Sequence, residues 1–284
     1  SWGITASAEE TGTETWNEGN LTWTLDAEGT MTISGSGEMK SYLIPDSPAT
    51  QKKDSVNKVV IQEGVTSIGE YAFNGCSSLT SIEIPESVTS IGNGAFEWCS
   101  SLTSITIPGS VTSIGNYAFY TCRSLTSIEI PSSVTSIGEN AFYNCTGLIS
   151  INILEGVTSI GGSAFGYCSS LTSITIPKSV TSIGRNAFSG CTVLKKVLLE
   201  NDSTLTSESL GVDASIIKTY WNEGDLTWTL TADGTMTISG TGAMKDYYTD
   251  VSPAYDNSKI KKVVIENGIT SIGAYAFSSC NNLA

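Results

Sequence analysis

The chain has 284 residues, of which 39% are hydrophobic, so it is long enough to bury a sizeable core. It carries 14 basic and 28 acidic residues, and the net charge of -14 argues against nucleic acid or an anionic membrane surface as a partner. Histidine is absent, which removes the commonest general base and the commonest zinc ligand. No apolar run approaches the ~20 residues that a spanning helix needs, so we expect no membrane insertion within this chain.

Residues 1–55 are predicted to form an N-terminal cap built around a β-hairpin. Apolar residues alternate with threonines in L-T-W-T-L at 21–25 and in M-T-I at 31–33, and the turn-forming sequence D-A-E-G lies between them. An unpaired end of a repeat array exposes strand edge and core, so a polar-faced terminal element is expected there.

The middle of the chain repeats a unit of 23 residues. Six cysteines recur at this interval, each inside the phrase V-T-S-I-G-x-x-A-F-x-x-C: Cys76, Cys99, Cys122, Cys145, Cys168 and Cys191. A fixed period of this length indicates one supersecondary unit stacked many times. A repeat array is therefore predicted over residues 56–219, with a degenerate last coil.

Each unit begins with the strand signature of leucine-rich repeats, which here reads L-T-S-I-x-I-P. Strands are predicted near 56–61, 79–84, 102–107, 125–130, 148–153, 171–176 and 194–199. The V-T-S-I-G segment predicts a second short extended piece, and the spacing of A-F-x-x-C predicts a short helical turn. The expected fold class is a leucine-rich repeat solenoid, with a parallel β-sheet, short helical turns, β-strand segments on the opposite side and β-hairpin cap modules.

The hairpin pattern returns late in the chain, with L-T-W-T-L at 226–230 and M-T-I at 236–238. We predict a second cap-like module over residues 220–259. A second array is expected to start over residues 260–284, in register through Cys280, and to be truncated where the pattern requires another strand.

The 23-residue unit combined with this hairpin resembles the BspA-like leucine-rich repeat proteins of bacterial cell surfaces, over nearly the whole chain. The resemblance implies an extracellular or cell-surface location and an adhesion-type role, with a host or neighbouring-cell protein as partner and a glycan as the alternative. It implies no catalytic residues and no cofactor. A structural stalk that presents a domain beyond the C-terminus is the alternative function, and a carbohydrate-active enzyme is the least favoured.

The cysteines are interpreted as buried structural thiols. Parallel side chains on a ladder meet disulfide geometry poorly, and the paired C-x-x-C spacing of a metal site is missing. No metal ligand is therefore assigned.

Two sets of residues are candidates for ligand binding. The first is an outward row on the predicted sheet, which could equally be a solvated face: Glu83, Thr106, Glu129, Asn152 and Thr175. The second is a group of rings in the variable positions around Ala-Phe, where the alternative is that each ring packs over its neighbour's turn: Trp98, Tyr117, Tyr120, Tyr143 and Tyr167. Amphipathic rings are enriched at binding hot spots.

Overall fold

The chain folds as a solenoid of stacked coils in the computed structural model, which describes residues 7–8, 12–200, 203–248, 252–255 and 257–284. Regular helix in this part of the chain is limited to α1 (Pro48–Gln51), α2 (Ser207–Leu210) and a 3-10 turn at Ala214–Ile216. None of the described helices is long and apolar enough to cross a membrane. The predicted leucine-rich repeat solenoid is confirmed.

The N-terminal strands form the predicted hairpin. They are β1 (Ser7–Ala8), β2 (Glu14–Glu18), β3 (Leu21–Leu25), β4 (Thr30–Gly35) and β5 (Gly37–Glu38). Strands β2, β3 and β4 pair antiparallel, with Trp23 opposite Ile33 on the buried face. Alternation of large apolar residues with threonine places one face of the hairpin in the core and the other toward solvent.

Each coil of the array contributes up to two short strands. They are β6 (Lys58–Ile61), β7 (Val65–Ile68), β8 (Ser81–Glu83), β9 (Ser90–Ile91), β10 (Ser113–Ile114), β11 (Ser127–Ile130), β12 (Ser136–Ile137), β13 (Ser150–Ile153), β14 (Ser159–Ile160), β15 (Ser173–Ile176), β16 (Ser182–Ile183) and β17 (Lys196–Glu200). The V-T-S-I-G strands form one continuous parallel sheet on one side, from β5 and β7 to β16.

The leucine-rich side is less regular than predicted. Strands occupy six of the seven expected positions, but residues 102–107 form no strand, so that prediction was wrong. Strand β6 pairs with β4 and β8 pairs with β6. Strand β11 pairs with β13 in a separate two-stranded sheet, and β15 pairs with β17. The inward side chains Leu102, Ile105 and Ile107 remain buried. The apolar spacing is therefore kept where the backbone ladder opens.

The interior consists of identical side chains stacked from coil to coil. Phenylalanine rings stack nearly parallel, with interplanar angles of 7–10° between Phe73, Phe96, Phe119, Phe142, Phe165 and Phe188. Their centroids lie 5.1–5.6 Å apart, close to the ~4.8 Å spacing of paired strands. Trp23 of the hairpin lies 5.7 Å from Phe73 and covers the end of this stack.

The A-F-x-x-C segments form single hydrogen-bonded turns. Within a turn the Cys122 amide donates to the Phe119 carbonyl, and between turns the Phe119 amide donates to the Ala141 carbonyl at 2.8 Å. Two positions per turn have left-handed backbone, occupied by glycine or by Tyr71, Trp98, Tyr117, Thr121, Asn140, Asn144, Ser163, Tyr167, Asn186, Tyr275 and Ser279. These left-handed residues stop each turn from extending into a regular helix.

The seven cysteines are free, and five of them are fully buried. Five thiols donate to a carbonyl of the preceding coil, at 3.0–3.2 Å: Cys99 to Phe73, Cys122 to Phe96, Cys145 to Phe119, Cys168 to Phe142 and Cys191 to Phe165. Cys76 donates to the Ala49 carbonyl of the cap at 3.6 Å. The interpretation as buried structural thiols agrees with this arrangement. Within the described residues, no group of three or more cysteine or carboxylate side chains is placed to hold a metal ion.

The second hairpin module continues the leucine-rich side of the solenoid. Its strands are β18 (Ile217–Glu223), β19 (Leu226–Thr231), β20 (Thr235–Gly240) and β21 (Gly242–Ala243), followed by β22 (Lys262–Ile265) and β23 (Ile269–Ser271). Strand β18 pairs in parallel with β17, and β20 pairs in parallel with β22. A single six-stranded sheet thus runs from β15 through the module to β22.

Candidate functional site

The structure brings the five predicted aromatic residues into one contiguous surface, here named the aromatic stripe: Trp98, Tyr117, Tyr120, Tyr143 and Tyr167. Ring centroids are 5.8 Å apart for Trp98 and Tyr120, 5.1 Å for Tyr120 and Tyr143, and 5.2 Å for Tyr143 and Tyr167. Tyr117 contacts Tyr120 at 5.7 Å. The stripe spans four coils because the variable positions of successive turns lie directly above one another.

The ends of the stripe are open to solvent. Trp98 is 47% exposed and Tyr167 is 51% exposed, whereas Tyr120 and Tyr143 between them are half-buried. Those two inner rings are parallel to within 3°, so each covers a face of the other. The inner part of the stripe therefore presents ring edges and hydroxyl groups, and the outer part presents ring surface.

Small residues in the next coil make room for two of the rings. A Cβ at Gly166 would lie 2.8 Å from the Tyr143 ring, and one at Gly190 would lie 2.8 Å from the Tyr167 ring. These two rings therefore pack partly over the neighbouring turn, as the alternative interpretation expects. It does not remove the exposure of Tyr167, which remains available for a partner.

Two exposed rings occupy an unfavourable backbone conformation. Trp98 has φ 64° and Tyr167 has φ 58°, in a turn position where other coils have Gly75, Asn144 or Gly190. A left-handed backbone costs a residue with a Cβ about 1–2 kcal/mol, and glycine and asparagine are the usual occupants. The fold does not require a ring at this position, since other coils do without one.

A carboxylate lies beside the exposed end of the stripe. Glu97 accepts a hydrogen bond from the Asn74 side chain at 3.1 Å. Burial raises the pKa of Glu97, and hydrogen bonds from Trp98 and Asn74 oppose that rise.

The sheet row is only partly assembled into a concave surface. Thr106, Glu129 and Asn152 line a shallow depression of about 400 Å³ together with serines of the same coils. Glu129 accepts a hydrogen bond from the Asn152 side chain at 2.8 Å. The depression lies where residues 102–107 leave the strand ladder open.

The two ends of the row lie outside this depression. Glu83 forms an ion pair with Lys58 at 2.7 Å, and Thr175 pairs with Leu198 of the next strand. The sheet row and the aromatic stripe belong to different sides of each coil, so the structure does not combine the two predicted sets into one site.

Sequence reasoning missed a further cleft beside the second hairpin module, lined in part by Trp221, Lys259 and Lys261. The signal was available in the comparison of the two hairpin copies, because the first copy has no lysine at the matching positions.

Comparison with known proteins assigns the fold to a family. The model of the BspA type leucine rich repeat region matches in six copies, over residues 47–169, 112–216 and 251–284. The chain belongs to this BspA-type family. The V-T-S-I-G strands and the A-F-x-x-C turns described above lie within the matched residues.

Solved structures of similar proteins come from several bacteria. A leucine rich cell surface protein of Faecalibacterium prausnitzii is 25% identical, with 95% of this chain and 81% of that chain covered and a TM-score of 0.51. A leucine-rich repeat protein of Eubacterium ventriosum is 23% identical, with 95% and 90% covered and a TM-score of 0.45. The pneumococcal vaccine antigen PcpA is 19% identical, with 95% and 68% covered and a TM-score of 0.46. A comparison with curated proteins found no match.

Proposed function

We propose that this BspA-type chain is a non-enzymatic adhesion-type protein of the bacterial surface or its surroundings, and that it binds a host or neighbouring-cell protein through the aromatic stripe. The observation that carries the proposal is the contiguity of five rings over four coils, with Trp98 and Tyr167 about half exposed. Exposed aromatics with a polar tip supply most of the binding energy at many protein interfaces. Family membership and the likeness to a leucine rich cell surface protein of Faecalibacterium prausnitzii support the surface location.

A protein suits the stripe better than a glycan. Sugars stack on open ring faces, but Tyr120 and Tyr143 cover each other's faces and present edges and hydroxyls. Hydroxyls and ring edges fit peptide carbonyls and aliphatic side chains. The net charge of -14 favours a partner that is neutral or basic where it contacts the stripe.

Biolayer interferometry against a panel of purified extracellular matrix proteins tests this proposal. The test variant is Trp98→Asn/Tyr167→Asn, which places asparagine where Asn144 already occupies the same turn position. The control is Tyr248→Ala/Tyr275→Ala, an exposed pair outside the stripe whose centroids are 6.0 Å apart. We expect the test variant to weaken binding at least ~10-fold and the control to leave it unchanged.

A third variant separates the stripe from the sheet. Glu83→Lys/Glu129→Lys reverses charge on the sheet row without touching the rings. If it abolishes binding while Trp98→Asn/Tyr167→Asn does not, the sheet row is the docking surface and the stripe assignment is wrong.

A spacer is the second candidate function. It is favoured by the sheet that passes without interruption from β15 through the second module to β22, because such a sheet makes a stiff connection. Deletion of residues 103–148 removes two whole coils and most of the stripe. A spacer shortened in this way keeps its role with a reduced reach, whereas a binding protein loses its ligand.

A further inference from the structure

The cleft beside the second hairpin module is larger than the depression on the sheet row. It encloses about 630 Å³ between the last strand of the array and the hairpin, and its lining includes Leu205, Thr219, Trp221, Leu230, Lys259 and Lys261. None of these residues belongs to the aromatic stripe or to the sheet row.

The first hairpin module has a cleft at the matching place, of about 390 Å³. Two backbone contacts establish the correspondence. The amide of Asn57 donates to the Gly29 carbonyl, as the amide of Lys261 donates to the Gly234 carbonyl. The backbone carbonyl of Ser55 lies beside Gly29 in the first module, and the backbone carbonyl of Lys259 lies beside Gly234 in the second. Lys259 and Lys261 therefore replace Ser55 and Asn57.

The charge of the cleft differs between the two copies. The first cleft is lined by Glu14, Asp26 and Glu28, and Glu14 is paired with Lys52 at 2.7 Å. In the second module Thr219 stands at the position of Glu14, and Thr231 at that of Asp26. Asp233 keeps an acidic residue at the position of Glu28, and Glu200 joins the described lining. The described lining of the second cleft therefore contains two lysines and one carboxylate, whereas that of the first contains three carboxylates.

Both lysines belong to the lining of the cleft. Among the residues that the structure describes, no carboxylate lies within 4.0 Å of either lysine ammonium group. Glu200, the one carboxylate in the described lining, lies 3.9 Å from Lys178. An anion entering the cleft would therefore meet two ammonium groups that form no ion pair with the described carboxylates.

The tryptophan of the cleft is also different. Trp16 in the first module is 2% exposed, whereas its counterpart Trp221 is only partly buried and lines the cleft. The described lining also contains Leu230 and the hydroxyl-bearing residues Ser207 and Thr219. The Thr231 hydroxyl bonds to Asp233 and Thr235 within the hairpin turn. An aromatic surface with hydroxyls around it suits a sugar ring, whose C–H groups pack on indole and whose hydroxyls need hydrogen-bond partners.

We propose that this cleft binds a carboxylated saccharide, with Lys259 and Lys261 on the carboxylate groups and Trp221 against a sugar ring. An acidic peptide would use the lysines but would leave the indole of Trp221 without a matched group. The matching positions in the first cleft hold the neutral residues Ser55 and Asn57. Replacing the two lysines by serine and asparagine therefore removes the charge with side chains that the same fold already accepts.

Isothermal titration calorimetry of the full chain with trigalacturonic acid tests the proposal, at about 20 mM salt where charges are weakly screened. The test variant is Lys259→Ser/Lys261→Asn, and the matched control is Lys218→Gln/Lys262→Gln, which removes two lysines absent from the cleft lining. We expect the unaltered chain and the control to bind alike, and the test variant to bind at least ~10-fold more weakly. Maltotriose, which has no carboxylate, should bind the unaltered chain no more tightly than trigalacturonic acid binds the test variant.

Further outcomes decide against the proposal. Equal binding by the test variant and the control places the saccharide elsewhere, provided that both variants retain the circular dichroism spectrum of the unaltered chain. Lack of binding by the unaltered chain, or tighter binding of a hexaglutamate peptide than of trigalacturonic acid, rejects a carboxylated saccharide as the ligand. Trp221→Phe, which keeps an aromatic ring and the lysines, should weaken saccharide binding but leave binding of the peptide unchanged.

Discussion

The thiol of Cys122 donates a hydrogen bond to the carbonyl oxygen of Phe96 in the preceding coil, at a sulfur–oxygen distance of 3.2 Å. The same carbonyl accepts the backbone amide of Cys99 at 3.1 Å. The cysteine thus fills space beside the phenylalanine stack and also gives the carbonyl a second donor. All six regular repeats have cysteine at this position.

Replacing Cys122 by alanine should destabilise the chain by about 1–2 kcal/mol. The loss combines a small cavity with a weak hydrogen bond, and the remaining Cys99 amide keeps the Phe96 carbonyl from being left without a donor. Urea unfolding followed by circular dichroism measures the difference. Cys280→Ala, at a half-buried position, is the control and should cost less. Equal losses at the two positions would show that burial does not set the contribution.

Stability should decrease as the pH rises above about 9. Burial raises the pKa of the Cys76 thiol from 9.0 to about 12 and that of Cys191 to about 11. Unfolded thiols ionise near their ordinary pKa while the folded ones keep their protons, so the folded state binds more protons above pH 9. Below pH 9 these thiols make their full contribution to the free energy of unfolding. As the pH rises from 9 toward the folded pKa values, that contribution falls by up to about 1.4 kcal/mol per pH unit for each thiol.

The measurement is the urea midpoint at intervals from pH 8 to 10. Cys76→Ala should show a shallower decline than the unaltered chain because one raised thiol has been removed. A midpoint that stays constant over this range would contradict the assignment of raised thiol pKa values.

The hydroxyl of Tyr42 should stabilise the first hairpin module. It donates to the Glu18 carboxylate, whose other oxygen accepts the Lys40 amide at 3.0 Å. Tyr42→Phe removes the donor from a charged acceptor and should cost about 1–2 kcal/mol in the free energy of unfolding.

The second module supplies a matched comparison for this hydrogen bond. Tyr247 donates to Glu223, which also accepts Trp228 at 3.2 Å and pairs with Lys245 at 2.9 Å. Tyr247→Phe should therefore cost less than Tyr42→Phe in thermal unfolding. The reverse order would show that the additional partners of Glu223 do not compensate for the hydroxyl.

Trp98→Asn should change stability little. Asparagine tolerates the left-handed backbone at this position, which relieves about 1 kcal/mol of strain, while the contact of the indole with Tyr120 is lost. We expect a net change within about 1 kcal/mol by thermal unfolding. Destabilisation beyond about 2 kcal/mol would mean that the indole supports the fold, and the proposed binding role of Trp98 would lose its main argument.

The core of the solenoid was predictable because it depends on spacing alone. Most inward positions of the repeat, such as Leu102, Val111 and Phe119, are buried in the structure. Ile84 and Leu194 are only partly buried. The hairpins were predictable for the same reason, since apolar residues alternate with threonine along their strands. The open ladder at residues 102–107 was not, because the sequence of that coil repeats the phrase of its neighbours.

The sequence did not predict two further features. The left-handed turn positions hold Trp98, Tyr167 and Asn144 as well as glycine, so composition gives no warning of them. The basic cleft joins Trp221 to Lys259 and Lys261 across a hairpin and a later loop. The binding roles of the aromatic stripe and the sheet row, and the division of the chain at 55, 219 and 259, stay predictions.

The second hairpin accepts a parallel strand on each side, β17 before it and β22 after it. It can therefore be inserted between any two blocks of coils without a new kind of contact, because both joints reuse the hydrogen-bonding pattern of an ordinary coil. Gene duplication that copies one hairpin with its following block would lengthen the molecule through the same two parallel pairings. A lineage could in this way change the reach of the protein in whole steps while each copied hairpin acquires its own surface chemistry.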